Sequence, residues 1–457
     1  MTGAEGTRLR LAGTLSAGLY KTRNVVRSDV TWNTAASLVF SLQSYIMLWL
    51  IQVTWGNAYA GIFSFATAQA FLFWSIGCYG MRRFQASDVD GTFTFSEYVG
   101  SRIATVSAMV LACAVVLVIQ SVGHEVDRTR LLVIVFVTAI KVVDAVEDLF
   151  FAHLQQRGYL FIAGRISTIR SVAVLAAFCL TTVTGGGVVQ ALVVAMLVGT
   201  VVLGVVAVLV VPRSLVEGDR VWHARRIGRL LLECLPLLAY SVLAIYLSNA
   251  PRYAIEVASP SRDLVQAEFG FLMTPAFVIT LVSGFIYGPM IRPMAQLWAG
   301  RAYRALARQI LRVSALITGI GVAACVAGYP FGTPLLSWLF RTDLSGRSWQ
   351  FTVLLASGGL IALINFEAVV LTIMRRQLAM SLVNGAVAIF AVATGAVLVS
   401  RWGLAGACAL AFGVAVLQAV ALAVIGVATI ARAHRSDSSA PANPLFMSGA
   451  PGPVVTL

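Results

Sequence analysis

Charged residues inside apolar segments are the side chains best placed to do chemistry in this sequence. The apolar segment 131–152 contains four of them, Lys141, Asp144, Glu147 and Asp148. At 100° per residue of an α-helix, these four side chains share one face. A charge within a bilayer is costly unless it is paired or faces water, so we expect this face to look away from lipid.

The next apolar segment, 159–183, adds Arg165 and Arg170, so the two segments together hold three acidic and three basic side chains. One interpretation is an ion-pair network that fixes the packing of two neighbouring helices. The other is a cavity wall whose carboxylates exchange a proton or Na⁺. The sequence leaves both interpretations open.

Isolated polar residues occur in three other segments. Glu233 precedes Pro236, which is expected to bend its helix, and Glu367 lies in a later segment. We predict that these two glutamates are ion-coupling residues together with the three acids of segment 131–152. Asn33, in the first segment, either lines a cavity or hydrogen-bonds to a neighbouring helix.

Enzymatic motifs are missing from the sequence. It has no GxxxxGK[ST] phosphate loop, no HExxH and no GxSxG. Asp88 and Asp90 match the D-x-D pattern of metal-dependent glycosyltransferases, but the following Gly91 favours a solvated turn. A membrane glycosyltransferase or polymerase also needs a large outer loop, and the largest one expected here is 329–350. Cysteines and histidines are scattered, so we predict no catalytic residue, no metal and no cofactor.

Membrane-spanning helices are the elements that position these charges. Of 457 residues, 59% are apolar and 11% charged, and the mean hydropathy is +0.87. A soluble globular protein has roughly 45–50% apolar and about 25% charged residues. Crossing a bilayer takes about 20 apolar residues. Twelve segments meet this length: 30–53, 58–81, 101–122, 131–152, 159–183, 188–211, 231–251, 267–291, 311–328, 351–373, 378–399 and 403–430.

The distribution of basic residues predicts the topology. The net charge of +14 comes from arginines spread over short loops, which indicates membrane topology rather than nucleic-acid binding. On the side of the N-terminus lie 22 basic residues, against 7 on the opposite side. By the positive-inside rule, we predict that both termini are cytoplasmic.

The longest loop between spans, 212–230, separates six spans from six. We predict a basic cytoplasmic segment 1–28, an N-terminal lobe 29–211, a C-terminal lobe 231–432 and a tail 433–457 that is disordered because it is rich in Pro, Ser, Ala and Gly. Two six-helix lobes are a common transporter plan, with the substrate between them. The predicted fold class is therefore an all-α polytopic membrane protein with about twelve helices around a central cavity.

Three stretches of the chain resemble bacterial polysaccharide flippases. They are GIFSFATAQAFLFWSIGCYGMRRFQASD (61–88), KVVDAVEDLFFAHLQQRGYLFIAGRISTIR (141–170) and ECLPLLAYSVLAIYLSNAPRYAIE (233–256). The resembled family is the polysaccharide transporter branch of the multidrug/oligosaccharidyl-lipid/polysaccharide exporter superfamily, and the resemblance extends over roughly 29–430. It implies a flippase fold and no enzymatic activity.

The resemblance also implies a substrate, an oligosaccharide on undecaprenyl pyrophosphate that moves from the inner to the outer leaflet of the bacterial cell membrane. Membrane lipids and polysaccharide assembly proteins would be the partners. The residues that fit the family's cationic cavity are Arg82, Arg83, Arg102, Lys141, Arg165, Arg170, Arg252 and Arg292, with Asn33. Three alternatives stay open: a drug or cation exporter of the same superfamily, a membrane glycosyltransferase or polymerase, and a non-transporting scaffold.

Overall fold

A computed structural model describes residues 25–88, 91–121, 127–209 and 223–438. Helices account for nearly all of these residues, and no strand occurs among them. The helices are α1 (Val25–Trp55), α2 (Asn57–Cys78), α3 (Met81–Ser87), α4 (Phe95–Ser121), α5 (Arg128–Gln156), α6 (Leu160–Val183), α7 (Val188–Leu209), α8 (Ala224–Ala258), α9 (Arg262–Tyr287), a 3₁₀ turn (Gly288–Met290), α10 (Ile291–Ala299), α11 (Tyr303–Phe340), α12 (Ser348–Ile373) and α13 (Gln377–Ser438).

The last helix, α13, is a hairpin of two antiparallel helical arms. Gly403 interrupts its 62 residues with φ 54° and ψ −126°, a left-handed backbone that favours glycine. Across the two arms, the Gln418 amide donates a hydrogen bond to the Asn384 side-chain oxygen at 2.9 Å. Gln418 lies 15 positions after Gly403 and Asn384 lies 19 positions before it. Residues at such similar distances from the turn can meet only if the chain folds back at this glycine.

Twelve membrane crossings follow from these helices. Ten helical segments among the described residues are long and apolar enough to span a bilayer, with α13 counted once. Its second arm adds a crossing. α5 is not among the ten because four charges lie within its residues 141–148, yet it packs between α2 and α7 and crosses with them. The predicted all-α polytopic fold is confirmed.

Several helices continue beyond the predicted spans. α8 begins at Ala224, inside the predicted loop 212–230, and α13 runs to Ser438, into the predicted tail 433–457. α1 begins at Val25, within the predicted segment 1–28. The helices extend past the predicted spans because apolar length marks only the part of a helix within lipid, whereas a helix can continue into water. Residues 1–24, 210–222 and 439–457 lie outside the described residues.

The predicted outer loop 329–350 was wrong, because α11 continues to Phe340 and leaves only 341–347 between helices. Pro330 and Pro334 lie within this helix without ending it. The segment is held by packing, since the Phe340 ring stacks on Phe271 of α9 at 4.4 Å. Neighbouring helices can support a proline-containing helix in this way.

Helices α1–α7 pack together, and so do α8–α13. The two groups meet chiefly where α2 contacts α8 and α9. Gly61 permits this approach: a Cβ added there would overlap the backbone carbonyl of Asp263. The junction therefore lies chiefly between α2 and the first two spans of the C-terminal group.

Candidate functional site

The charged face predicted on α5 is a buried ion-pair network with α6. Lys141 Nζ donates to Asp144 Oδ2 at 2.8 Å, and Arg170 Nη2 donates to Asp144 Oδ1 at 2.6 Å. Arg170 Nε donates to Glu147 Oε2 at 2.7 Å. All four side chains are buried, and Arg170 is 1% exposed. Their two positive and two negative charges balance, as a buried site requires.

Aromatic rings complete the enclosure of this network. The Lys141 ammonium lies 4.7 Å from the Phe40 ring centroid of α1 and 4.4 Å from that of Phe71 of α2. Both distances are within the range of a cation–π interaction. Lys141 is thereby packed between α1, α2 and α5, and the arrangement favours the ion-pair interpretation of this face.

Asp148, the fourth charge on this face, pairs with different basic residues. Arg102 of α4 donates to its Oδ2 at 3.0 Å and to the Gly77 carbonyl at 2.7 Å, and Arg82 approaches its Oδ1 at 3.8 Å. Arg165, in contrast, lies over the rings of Trp32 and Phe161. The third basic partner of the three acids is therefore Arg102 and not Arg165, because α4 packs against α5 at this level.

Arg252 lies where the two groups of helices meet. From α8, its Nε donates to Ser64 Oγ of α2 at 3.2 Å, and its Nη1 to Asn249 Oδ1 at 2.8 Å. Its guanidinium lies 5.4 Å from the Phe269 ring centroid of α9. No described carboxylate forms an ion pair with it. This half-buried charge is therefore held only by neutral groups.

Polar and aromatic side chains surround Arg252. Gln266 of α9 is fully buried and donates to the Arg252 carbonyl at 2.7 Å, while its own side-chain oxygen has no partner. Tyr253 donates to the Ala68 carbonyl of α2 at 2.9 Å and stacks on Tyr246. Such a site offers a planar cation for an anion and aromatic faces for an apolar surface.

Ion pairs close one end of the helix junction. Arg130, near the start of α5, donates to both oxygens of Glu256 of α8 at 2.6 Å and also contacts Asp263 of α9. At the same end, the Trp49 indole donates to the Leu339 carbonyl of α11 at 2.8 Å. This is the end opposite the termini, which the charge distribution predicts to be outside. The lobes are in contact there.

The remaining predicted residues lie away from this junction. Arg83 and Arg292 are both exposed, near the predicted cytoplasmic ends of the helices. Glu233 pairs with Arg229 at 2.7 Å, one turn earlier in α8. Asn33 is half-buried, and its backbone packs close to Gly164 of α6.

Glu367 of α12 is an acidic residue inside a span with no ion pair among the described residues. Its Oε2 is buried and has no hydrogen-bond partner, and no described basic side chain pairs with it. An unpaired acidic residue inside a span is a candidate for binding a small cation or a proton.

Asp88 is occupied by the loop that follows α3. It accepts hydrogen bonds from the backbone amides of Thr92 at 2.8 Å and Phe93 at 3.1 Å, and from the Tyr98 hydroxyl at 3.0 Å. Burial alone would raise the pKa of Asp88, but these hydrogen bonds hold it below its ordinary value. Asp90 lies outside the described residues. The described part of the chain contains no group of side chains that could hold a metal.

Solved structures share this architecture. A eukaryotic MATE transporter has a TM-score of 0.61 at 13% identity, over 90% of this chain and 99% of its own. The chain has the MATE transporter fold. An inward-facing multidrug resistance MATE transporter of the MOP superfamily gives 0.56 at 15% identity, over 94% and 99%. A MOP superfamily transporter from Pyrococcus furiosus, described as having a binding pocket of reverse polarity, gives 0.56 at 14% identity, over 90% and 96%.

Sequence comparisons add no closer relative, since no protein-family profile and no curated protein matches the chain. The proteins with these structures are described as transporters. At these identities the likeness establishes the fold and the multi-pass membrane architecture.

Sequence reasoning missed Arg130, Ser64 and Gln266. Arg130 was counted only as one of the few basic residues on the outer side. A signal was present, since Glu256 and Asp263 lie in the predicted outer loop between the spans 231–251 and 267–291. Ser64 and Gln266 carry no such signal, because a neutral polar residue in a span usually bonds within its own helix.

Proposed function

We propose that this protein flips an undecaprenyl-pyrophosphate-linked oligosaccharide from the inner to the outer leaflet by alternating access of its two lobes. The observation that supports the proposal best is Arg252, a cation between the lobes with only neutral partners. An arginine fork matches phosphate oxygens in a bidentate manner, and pyrophosphate would supply the missing negative charge.

The charge balance of the N-terminal helices supports the same site. The acids of α5 are already paired with Lys141, Arg102 and Arg170, so those cations would bring no surplus charge to an anion. Arg252 would bring one. The proposed route of the pyrophosphate therefore centres on Arg252 rather than on the whole set of basic residues predicted from the sequence.

The aromatic side chains near Arg252 fit the sugar part of the substrate. Tyr45 of α1 stacks on Phe277 of α9 at 4.6 Å, and Tyr246 stacks on Tyr253 at 5.5 Å. Ring faces of this kind can pack against the C–H surface of a sugar while the hydroxyls stay in water. The proposal places both termini in the cytoplasm of a bacterial cell, with polysaccharide assembly proteins as partners.

A drug or cation exporter is the second candidate, and Glu367 favours it. Its unpaired carboxylate could hold a cationic substrate, or a proton or Na⁺ that drives transport. The multidrug transporters with this fold make the candidate reasonable. The reverse-polarity pocket described for the Pyrococcus furiosus relative suggests that the charge lining the pocket is the feature to test.

Binding measurements separate these candidates. We expect Arg252→Ala to weaken binding of an undecaprenyl-pyrophosphate oligosaccharide about 10- to 150-fold, since a hydrogen bond to a charged group contributes about 1.5–3 kcal/mol. Arg252→Lys should recover part of the loss. Arg401→Ala removes an exposed arginine at the turn of α13 and serves as the matched control. Equal affinities of the Arg252→Ala and Arg401→Ala variants would exclude the proposed site.

A further inference from the structure

A row of arginines lies at the start of α11, at the predicted cytoplasmic surface. Arg304, Arg308 and Arg312 are all exposed and follow one another every four residues. Like charges at this spacing repel each other along a helix. None of the three takes part in the ion pairs of the described residues. The row thus has a positive charge that a negative ligand would neutralise.

A groove lies beside this row, between α11 and the short helix α10. Arg308 and Arg312 line it together with the apolar side chains Met290, Leu297 and Val313, and its volume is about 340 Å³. Trp298 of α10 packs edge-on against Tyr303 of α11 at 5.4 Å, as aromatic residues at a membrane surface commonly do. The groove therefore combines two arginines with an apolar floor at headgroup level.

An apolar trough runs along the surface of α11 on the membrane side of the arginines; residues of α11 alone line it, and it shares none of them with the groove. It extends from Leu311 to Ala327 and has a volume of about 850 Å³. Sixteen residues of helix rise about 24 Å, which is longer than half of the ~30 Å hydrocarbon core. Arg304 and Arg308 lie on the same helix face as Leu311 and Ala315, so the arginine row lies at the predicted cytoplasmic end of the trough.

We propose that this surface binds a phospholipid with an anionic headgroup, its phosphate on Arg308 and Arg312 and one acyl chain in the trough. Charge complementarity identifies the occupant: a zwitterionic lipid leaves the arginine row uncompensated, and a free anion leaves the trough empty. Basic pockets between helices on the cytoplasmic side commonly hold such headgroups. The site lies on the C-terminal helices, away from Arg252, and does not depend on the proposed transport.

Lipid retention measured by native mass spectrometry tests the headgroup contact, with phosphatidylglycerol and phosphatidylcholine as probes. We expect Arg308→Gln/Arg312→Gln to weaken phosphatidylglycerol binding about 30-fold, from the typical contribution of two basic residues near an anionic surface. Arg375→Gln/Arg376→Gln is the matched control, because it removes an exposed basic pair at the same end of the helices that does not line the groove. Equal losses from the two pairs would overturn the proposal.

A second variant tests the trough without changing a charge. Gly319 lines the trough, and a Cβ added there meets open space, so Gly319→Leu should fill the trough without a clash. We expect weaker phosphatidylglycerol retention, whereas Gly413→Leu, also in open space, should leave it unchanged. Competition by inorganic phosphate at similar concentration would indicate a free-anion site. Loss of a dimer in Gly319→Leu would indicate a second copy of the chain. Either result would overturn the lipid assignment.

Discussion

Removal of Arg170 should destabilise the fold strongly. In Arg170→Ala, Asp144 and Glu147 would face only Lys141, so a buried face would carry one uncompensated negative charge. Removing one partner of a buried ion pair costs about 3–5 kcal/mol. That cost shifts the folding equilibrium by a factor between about 10² and 10⁴. We expect a loss in the upper part of this range, because Glu147 loses the hydrogen bond from Arg170 to its Oε2 while its Oε1 already has no partner.

Unfolding in mixed micelles at increasing SDS fraction measures this loss. Arg170→Met/Glu147→Gln restores the balance of charge and keeps the Lys141–Asp144 pair, so we expect it to be more stable than Arg170→Ala. Arg401→Ala should unfold like the wild type, because exposed substitutions change stability by less than about 0.5 kcal/mol. Two results would refute a stabilising ion-pair network: Arg170→Ala unfolding at the same SDS fraction as Arg401→Ala, or the double variant being no more stable than Arg170→Ala.

Three further predictions concern the junction and its surroundings. Arg130→Glu should open the closed end and increase the labelling, by an impermeant maleimide, of a cysteine placed at Ser64. Adding Glu256→Arg to this variant should restore protection, and unchanged labelling in Arg130→Glu would contradict closure by this pair. Asp88→Asn should keep transport but lower stability at neutral pH. Because the pKa of Asp88 is lowered, its contribution to the free energy of unfolding is present above the ordinary pKa of about 3.9 and should vanish as the pH falls through the lowered pKa. A stability difference between wild type and Asp88→Asn that does not change with pH would contradict this. Glu367→Gln should abolish the dependence of transport on an ion gradient, and persistence of that dependence would remove Glu367 from coupling.

The helical period was sufficient to predict the charged face of α5. Lys141, Asp144, Glu147 and Asp148 were expected on one side, and all four lie against protein. Their partners could not be derived in the same way. Arg165 is closer in sequence to Asp148 than Arg102 is, but pairing is decided by how α4 packs on α5, and a spacing pattern within one helix contains no information about that packing.

The limits of helices were less predictable than their number. Apolar length located the lipid-crossing parts, yet α11 continues through Pro330 and Pro334 because Phe340 packs on Phe271. The hairpin in α13 was expected as two spans, 378–399 and 403–430, and the glycine at 403 marks the turn. Arg252 was among eight basic candidates. Only the three-dimensional arrangement distinguishes it, because the absence of an acidic partner is a property of neighbouring helices.

The most direct test of the proposed function compares two substrates in one set of proteoliposomes. A fluorescent undecaprenyl-pyrophosphate oligosaccharide and a cationic dye would be offered to the wild type, Arg252→Ala and Arg401→Ala under an imposed ion gradient. We predict that the wild type and Arg401→Ala move the lipid-linked sugar and not the dye, and that folded Arg252→Ala moves it at least tenfold more slowly. Movement of the dye alone, or flipping of the lipid-linked sugar by Arg252→Ala at the wild-type rate, would contradict the proposed function.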